Sequence, residues 1–155
     1  MIRESGAPLP YSVSRPLEIV EVELAPPRPG EVLIRVESAG ICHSDLSVVN
    51  GSRPRPLPLI AGHESSGVVM ALGADVKNFK IGDLAGVGCL VDSCQVCDNC
   101  KADLEQYCEE GMTGTYNGIE RDGKTVAMGG YSNSFVINEN YAVHVPTNLP
   151  LDGVA

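Results

Sequence analysis

Apolar and polar residues alternate with a period of two along the first half of the chain, and this pattern predicts strands. In "EIVEVEL" (18–24), Val20, Val22 and Leu24 alternate with Ile19, Glu21 and Glu23. In "EVLIRVE" (31–37), Val32, Ile34 and Val36 alternate with Leu33, Arg35 and Glu37. β-Branched residues at every second position suit a half-buried strand. "PPRPG" (26–30) reads as the loop between them, because proline has no N–H to give to a ladder. "CHSDLSVVNG" (42–51) predicts a short helix stopped at Asn50-Gly51, and "RPRPLP" (53–58) a stiff extended connector.

Further on, "GVVMALG" (67–73) is apolar on both faces and predicts a buried strand. "KIGDLAGVGCLV" (80–91) places a Gly82-Asp83 turn before another, and "KADLEQYC" (101–108) suits one or two helical turns. "YSNSFVI" (131–137) and "YAVHVP" (141–146) are the last strand candidates, His144 being expected in ordinary packing or facing solvent. Many short strands punctuated by Gly and Pro predict a mainly β fold, a closed or partly open barrel with short helices. The glycine-rich G-x-G-x-x-G turn of a dinucleotide-binding unit is missing.

Composition narrows the function classes. The 155 residues suffice for one domain, 1–155, with its own core. Nothing approaches the ~18 consecutive apolar residues of a membrane span, and "MIRESGAPLPYS" carries no secretory pattern. A cytoplasmic location is expected, where clustered cysteines point to metal before disulfide. A net charge of −9 argues against nucleic acid as a partner. The acidity is sharpest between Val91 and Gly111, where Asp92, Asp98, Asp103, Glu105, Glu109 and Glu110 stand against Lys101.

That acidic stretch contains "CQVCDNCKADLEQYC". Cys94, Cys97, Cys100 and Cys108 offer soft thiolates that suit tetrahedral zinc or iron. A ferredoxin run would bring its last cysteine after three residues, followed by proline. Here seven residues intervene and Glu109 follows, which favours zinc. Four protein ligands leave no open position, so this lobe, at about 91–111, is expected to be a structural staple.

A second constellation lies upstream, in "GICHSD" (40–45) and "GHESSG" (62–67). On composition alone, Cys42 reads as a small buried residue and His63 as a core histidine. Their settings say more. Gly62-His63-Glu64, two residues, Gly67, five residues, Gly73, two residues and Val76 resembles in full the signature of zinc-dependent alcohol dehydrogenases. "GICHSD" resembles that family's segment for the first catalytic zinc ligand, and the cysteine cluster resembles its structural-zinc lobe. "GMTGTYN" (111–117) with "GGYS" (129–132) looks like the cinnamyl-alcohol-dehydrogenase branch. The resemblance runs in order over nearly the whole chain.

The resemblance implies the N-terminal, GroES-like catalytic domain of a medium-chain dehydrogenase/reductase. Cys42 and His63 would be catalytic zinc ligands. Ser44 would hydrogen-bond the substrate oxygen and pass on its proton. Asp45 would orient His63, Glu64 would lie behind the zinc, and His43 would face the cofactor's pyrophosphate. The implied cofactors are two zinc ions, one structural and one catalytic, with NAD or NADP in the full-length enzyme. The implied reaction interconverts alcohols with aldehydes or ketones by hydride transfer to NAD(P), with zinc polarising the oxygen. The implied partners are a small alcohol or aldehyde and, in full-length form, further copies of the protein, with no nucleic acid and no membrane.

The chain departs from the family pattern in three places. Ser47 stands where many members carry a histidine of the proton relay. The third catalytic cysteine is expected shortly beyond Ala155; Cys89, in "VGCLV", reads instead as buried packing. The cofactor-binding Rossmann domain and the final barrel segment are absent, so the chain reads as C-terminally incomplete and inactive alone. Two other readings stay open. One is a non-enzymatic zinc-stapled β-barrel with Cys42, Ser44, Asp45 and His63 as packing; the other is a relative that works without catalytic zinc. Tyr107 and Tyr116 are expected as core or surface packing, with a place bordering the substrate cleft as the alternative, and the substrate and the choice of NAD or NADP are left open.

Overall fold

A computed structural model describes all residues, 1–155. Its strands are β1 (Glu31–Ala39), β2 (Ser65–Leu72), β3 (Leu84–Val87), β4 (Leu90–Asp92), β5 (Thr113–Gly114), β6 (Ser134–Asn138) and β7 (Ala142–His144). The helices are α1 (Tyr11–Ser14), α2 (His43–Val49) and α3 (Asp98–Lys101), with 3-10 turns at Glu105–Tyr107, Glu139–Tyr141 and Leu151–Gly153.

Five strands form one antiparallel sheet in the order β6-β1-β2-β3-β7, curled into an open half-barrel; β4 and β5 make a separate pair. The register between β1 and β2 shifts between Leu33 and Ile34 and again between Val36 and Ser38. Such irregularities bend a strand and raise its twist, which is how a flat ribbon becomes a barrel wall. Val32 and Ile34 of β1, Val69 of β2, Ala85 and Val87 of β3, and Phe135 and Ile137 of β6 meet in the main core, joined by Phe79 and Val91. β1 and β2 approach closely at Gly67, where an added Cβ would lie 2.0 Å from the Arg35 carbonyl oxygen. Only glycine fits there, so this member of the sequence signature serves the sheet.

A smaller core of Ile2, Val48, Val49, Leu59 and Ala61 seats α2 against the barrel, with Tyr116 and Tyr131 packed at its margin. Val48 and Val49 are the buried residues at the helix's C-terminal end, each contributing about 1.5–3 kcal/mol. The helix start, with Cys42 just ahead of it, is thereby aimed by packing elsewhere on the same element.

The strand expectations hold for 31–37, 67–73, 131–137 and 141–146, with shifted ends. Residues 18–24 do not join a sheet. They run extended with Ile19 fully exposed, tied only at Glu18, which exchanges backbone bonds with Met1. Alternation predicts a pleated backbone but supplies no partner, and both edges of β1 are taken by β2 and β6. The helical turn expected in 101–108 is the 3-10 turn Glu105–Tyr107, and a further turn precedes it. α3 starts earlier because the Cys97 sulfur caps it, accepting the Cys100 N–H, and a separate 3-10 turn follows. His144 behaves as expected, stacking on Phe79 at a centroid distance of 4.1 Å.

Candidate metal centres

The upstream centre is assembled by two tight pieces of backbone. Cys42 is the N-cap of α2, and Asp45, three residues on, returns its carboxylate to the Cys42 N–H at 3.2 Å. This is the reciprocal capping-box arrangement, with sulfur where a hydroxyl usually stands. The second piece is the corner at Gly62, at φ +92°, where an added Cβ would lie 2.6 Å from the Tyr131 ring. A side chain there would suffer both backbone strain and a clash.

These two pieces bring the sulfur of Cys42, a ring nitrogen of His63 and a carboxylate oxygen of Glu64 within 4.8 Å of one another. Ser44 Oγ lies 3.0 Å from Cys42 Sγ and 3.5 Å from His63 Nε2. His63 Nε2 stands 4.0 Å from Glu64 Oε1. On the other side of the ring, Asp45 Oδ1 faces Nδ1 at 3.4 Å. A proton on Nδ1 therefore meets a carboxylate, and the bare Nε2 lone pair points into the cluster; this tautomer follows from the neighbours.

Asp45 is only 4% exposed. Its charge is held by the N–H groups of Cys42 at 3.2 Å and Gly62 at 3.1 Å and by the Tyr131 hydroxyl at 3.1 Å. A carboxylate that far from water is tolerable only with such donors. Tyr116, expected as packing or at the cleft border, sets its ring edge-on against His63, with centroids 5.4 Å apart and planes at 66°. Burial, reinforced by the Asp45 charge, pushes its phenol up to about 12, so it stays a neutral donor. Tyr107 is exposed, as expected of surface packing. His43 is exposed and lies outside the ligand cluster, its carbonyl accepting the Ser47 hydroxyl at 2.9 Å. Cys89 is exposed too, contrary to the packing expectation. The chain breaks pairing between β3 and β4 at that point, so strand alternation does not carry its side chain inward.

The downstream centre is a local knot. The sulfurs of Cys94, Cys97, Cys100 and Cys108 lie within 4.8 Å of one another, and Cys94 Sγ and Cys100 Sγ are 3.8 Å apart. Tetrahedral ligands at the zinc–sulfur distance of about 2.3 Å are separated by roughly 3.8 Å, whereas a disulfide needs about 2.05 Å. Backbone N–H groups of Cys94, Cys97 and Cys100 point at the sulfurs of Cys108, Cys94 and Cys97, offsetting the thiolate charge. The backbone N–H groups of Glu109 and then Cys100 hold the Cys97 thiol down, to about 6. Ser93 Oγ accepts from the Tyr141 hydroxyl and the Gln95 N–H, which leaves its own proton for Cys100 Sγ at 3.1 Å. That bond is the largest influence on Cys100 and favours thiolate, yet burial and the Cys97 and Cys108 thiols together push the group up, to about 11. A cation among the four sulfurs would remove that competition. Both donor sets fit zinc: four thiolates in a closed knot, and a sulfur, a nitrogen and an oxygen with room for one more ligand.

Residues 28–147 match the alcohol dehydrogenase GroES-like domain, and the chain belongs to that family. It is 48% identical over 146 residues to NADP-dependent alcohol dehydrogenase C 1 of Mycolicibacterium smegmatis, covering 93% of this chain and 42% of that protein. Among solved structures, cinnamyl alcohol dehydrogenase from Sorghum bicolor superposes with a TM-score of 0.79 at 37% identity, over 86% of this chain and 38% of that one. The cobalt- and zinc-bound thermostable alcohol dehydrogenase of Pyrobaculum aerophilum gives 0.71 at 32% identity, over 97% and 41%. The chain thus spans about two fifths of the length of the curated relatives it matches.

Proposed function

We propose that this chain supplies the metal-bearing catalytic domain of a zinc-dependent, NAD(P)-linked alcohol dehydrogenase acting on a small alcohol or aldehyde. The observation that carries the proposal is the convergence of Cys42, His63 and Glu64 within 4.8 Å, with Asp45 behind the imidazole. Zinc held by Cys42, His63 and Glu64 would serve as a Lewis acid toward a substrate oxygen. Asp45 keeps the proton on Nδ1 and so keeps Nε2 available. Ser44 presents its hydroxyl at the cluster's edge, where it can hold a substrate oxygen and take up or release its proton. Ser47 spends its own hydroxyl on the His43 carbonyl, so the proton leaves from Ser44 toward solvent. Exposed at the start of α2, His43 is free to meet a cofactor phosphate. Cys94, Cys97, Cys100 and Cys108 would hold the structural ion. The name of the Mycolicibacterium relative supports NADP as the nicotinamide partner, and six free cysteines suit a reducing, cytoplasmic setting.

The reading of a non-enzymatic stapled barrel needs Cys42, Ser44, Asp45 and His63 to be packing. It leaves unexplained why Glu64, with its side chain 46% exposed, closes on the same point as Cys42 and His63. Cobalt titration of the purified chain, followed by absorption, tests the proposal. One tight ion lost in Cys100→Ala and one weaker ion lost in Cys42→Ala and His63→Ala are expected. Tight binding alone, with nothing sensitive to Cys42→Ala, would return the upstream residues to packing.

A further inference from the structure

The segment Met128–Tyr131 lies against the corner that carries His63. Backbone N–H groups of Gly129, Gly130 and Tyr131 donate to the carbonyls of Ile60, Gly62 and Ala61 at 2.7, 2.8 and 3.0 Å. Added Cβ atoms at Gly129 and Gly130 would lie 2.3 Å from the Gly62 carbonyl oxygen and 1.9 Å from Ser65 Oγ. The two glycines therefore let this segment close onto the corner, which seats the Tyr131 ring on Gly62. From there the Tyr131 hydroxyl reaches the Gly40 carbonyl and Asp45 Oδ2, each at 3.1 Å. Both are acceptors, so they share the one hydroxyl proton, and the tyrosine joins the strand end before Cys42, the carboxylate behind His63 and the corner before His63.

We propose that Tyr131 is a positioning residue for the upstream centre: its hydroxyl fixes the Asp45 carboxylate, and through it the Nδ1–H tautomer and the ring orientation of His63. Asp45 Oδ1 stands 3.4 Å from Nδ1, and Nδ1 makes no well-formed hydrogen bond, so the pair is loosely coupled. A carboxylate at that distance directs the imidazole only if it is itself held still. Cys42 N–H and Gly62 N–H hold it from their own chain neighbourhoods; Tyr131 ties it to the far segment.

The test uses the 155-residue chain and two readouts, only the second of which rests on the zinc proposal. The first is the His63 tautomer from nitrogen-15 spectra of the metal-free chain at about pH 8, where an imidazole is neutral. His63→Gln assigns the signal among three histidines. The second is cobalt affinity at the upstream site. Tyr131→Phe keeps the ring on Gly62 and should turn a single Nδ1–H tautomer into a mixture and weaken upstream cobalt by about tenfold. Four-cysteine cobalt binding should not move. Tyr141→Phe, the same change beside Ser93, should leave His63 untouched. In an Asp45→Asn background Tyr131→Phe should add nothing further, because the hydroxyl acts through that carboxylate. An unchanged tautomer with upstream affinity within about twofold of wild type would overturn the positioning role while leaving the zinc proposal standing. A tautomer shift in a chain with no upstream cobalt site would do the reverse. A Tyr131→Phe chain without a dispersed spectrum would also overturn it, since the hydroxyl would then support the whole fold.

Discussion

The two candidate metal centres, one of four thiols and one of a thiol, an imidazole and a carboxylate, are built in opposite ways. In the lobe, four thiols lie within fifteen consecutive residues, and their own backbone amides point at the sulfurs. The upstream cluster draws on Gly40–Asp45, Ala61–Glu64 and Met128–Tyr131, the first two separated by α2 and its connector, the last two by β2 to β5 and the lobe. A local knot needs only its own turns to form. A site gathered from three segments needs the sheet first, and it gains in return side chains of unlike chemistry.

Removing metal from the lobe should produce the largest effect. A chelator, or Cys100→Ala, is expected to lower the melting temperature by roughly 5–10 °C, a loss of about 2–3 kcal/mol at this chain length. Hydrogen exchange should quicken across 92–111 while β1 and β2 keep their protection. Equal quickening in the sheet would mean the lobe is not an independent knot.

Asp45→Ala should come next. It strips a buried hub and leaves three donors, the Cys42 and Gly62 amides and the Tyr131 hydroxyl, short of their acceptor. Urea unfolding should show a loss of about 2 kcal/mol, with zinc in the lobe retained. A loss under about 1 kcal/mol would show that water replaces the carboxylate and that the upstream site is less tightly built than its geometry implies.

The pH dependence separates thiols within the lobe. Cys97 has a folded value near 6 against an ordinary 9.0. Its thiolate therefore favours the folded, metal-free chain fully above about pH 9, and that contribution is lost as pH falls through 6. At pH 7, iodoacetamide mapping by mass spectrometry should label Cys97 well before Cys100, whose proton is held to about 11. The reverse order would overturn the assignment of backbone amides as the cause. The smallest effect is expected far from both centres. His144→Ala removes the stacking on Phe79 and a 2.8 Å bond to the Asn78 carbonyl. It should cost about 0.5–1.5 kcal/mol in urea unfolding and release neither metal.

Legibility in the sequence follows the same divide. The lobe was readable because its four cysteines are neighbours in the chain. Cys42 and His63 were not readable from composition or periodicity. They became visible through the Gly-His-Glu pattern, whose glycines the structure explains: Gly62 turns the corner under Tyr131 and Gly67 admits the Arg35 carbonyl. The contact of Tyr131 with Asp45 was missed, and Tyr116 was read as packing before a place beside His63. Each lies more than fifty residues from His63, and nothing in "GTYN" or "GGYS" announces a carboxylate or an imidazole as neighbour. Residues 18–24 were misread for the same reason in reverse: their alternation is a local property, and the pairing partner that would make them a strand is not.

The amino-acid sequence by itself determined the alternating, extended backbone of 31–37, the short helix that follows Cys42, and the four-thiol cluster, because each is set by residues a few positions apart. Tertiary structure alone decided that His63 and Glu64 close on Cys42, that Asp45 stands behind the imidazole, and that Tyr131 ties these segments together. Those distances depend on how strands pair and curl, and sheet pairing is a property of the whole chain.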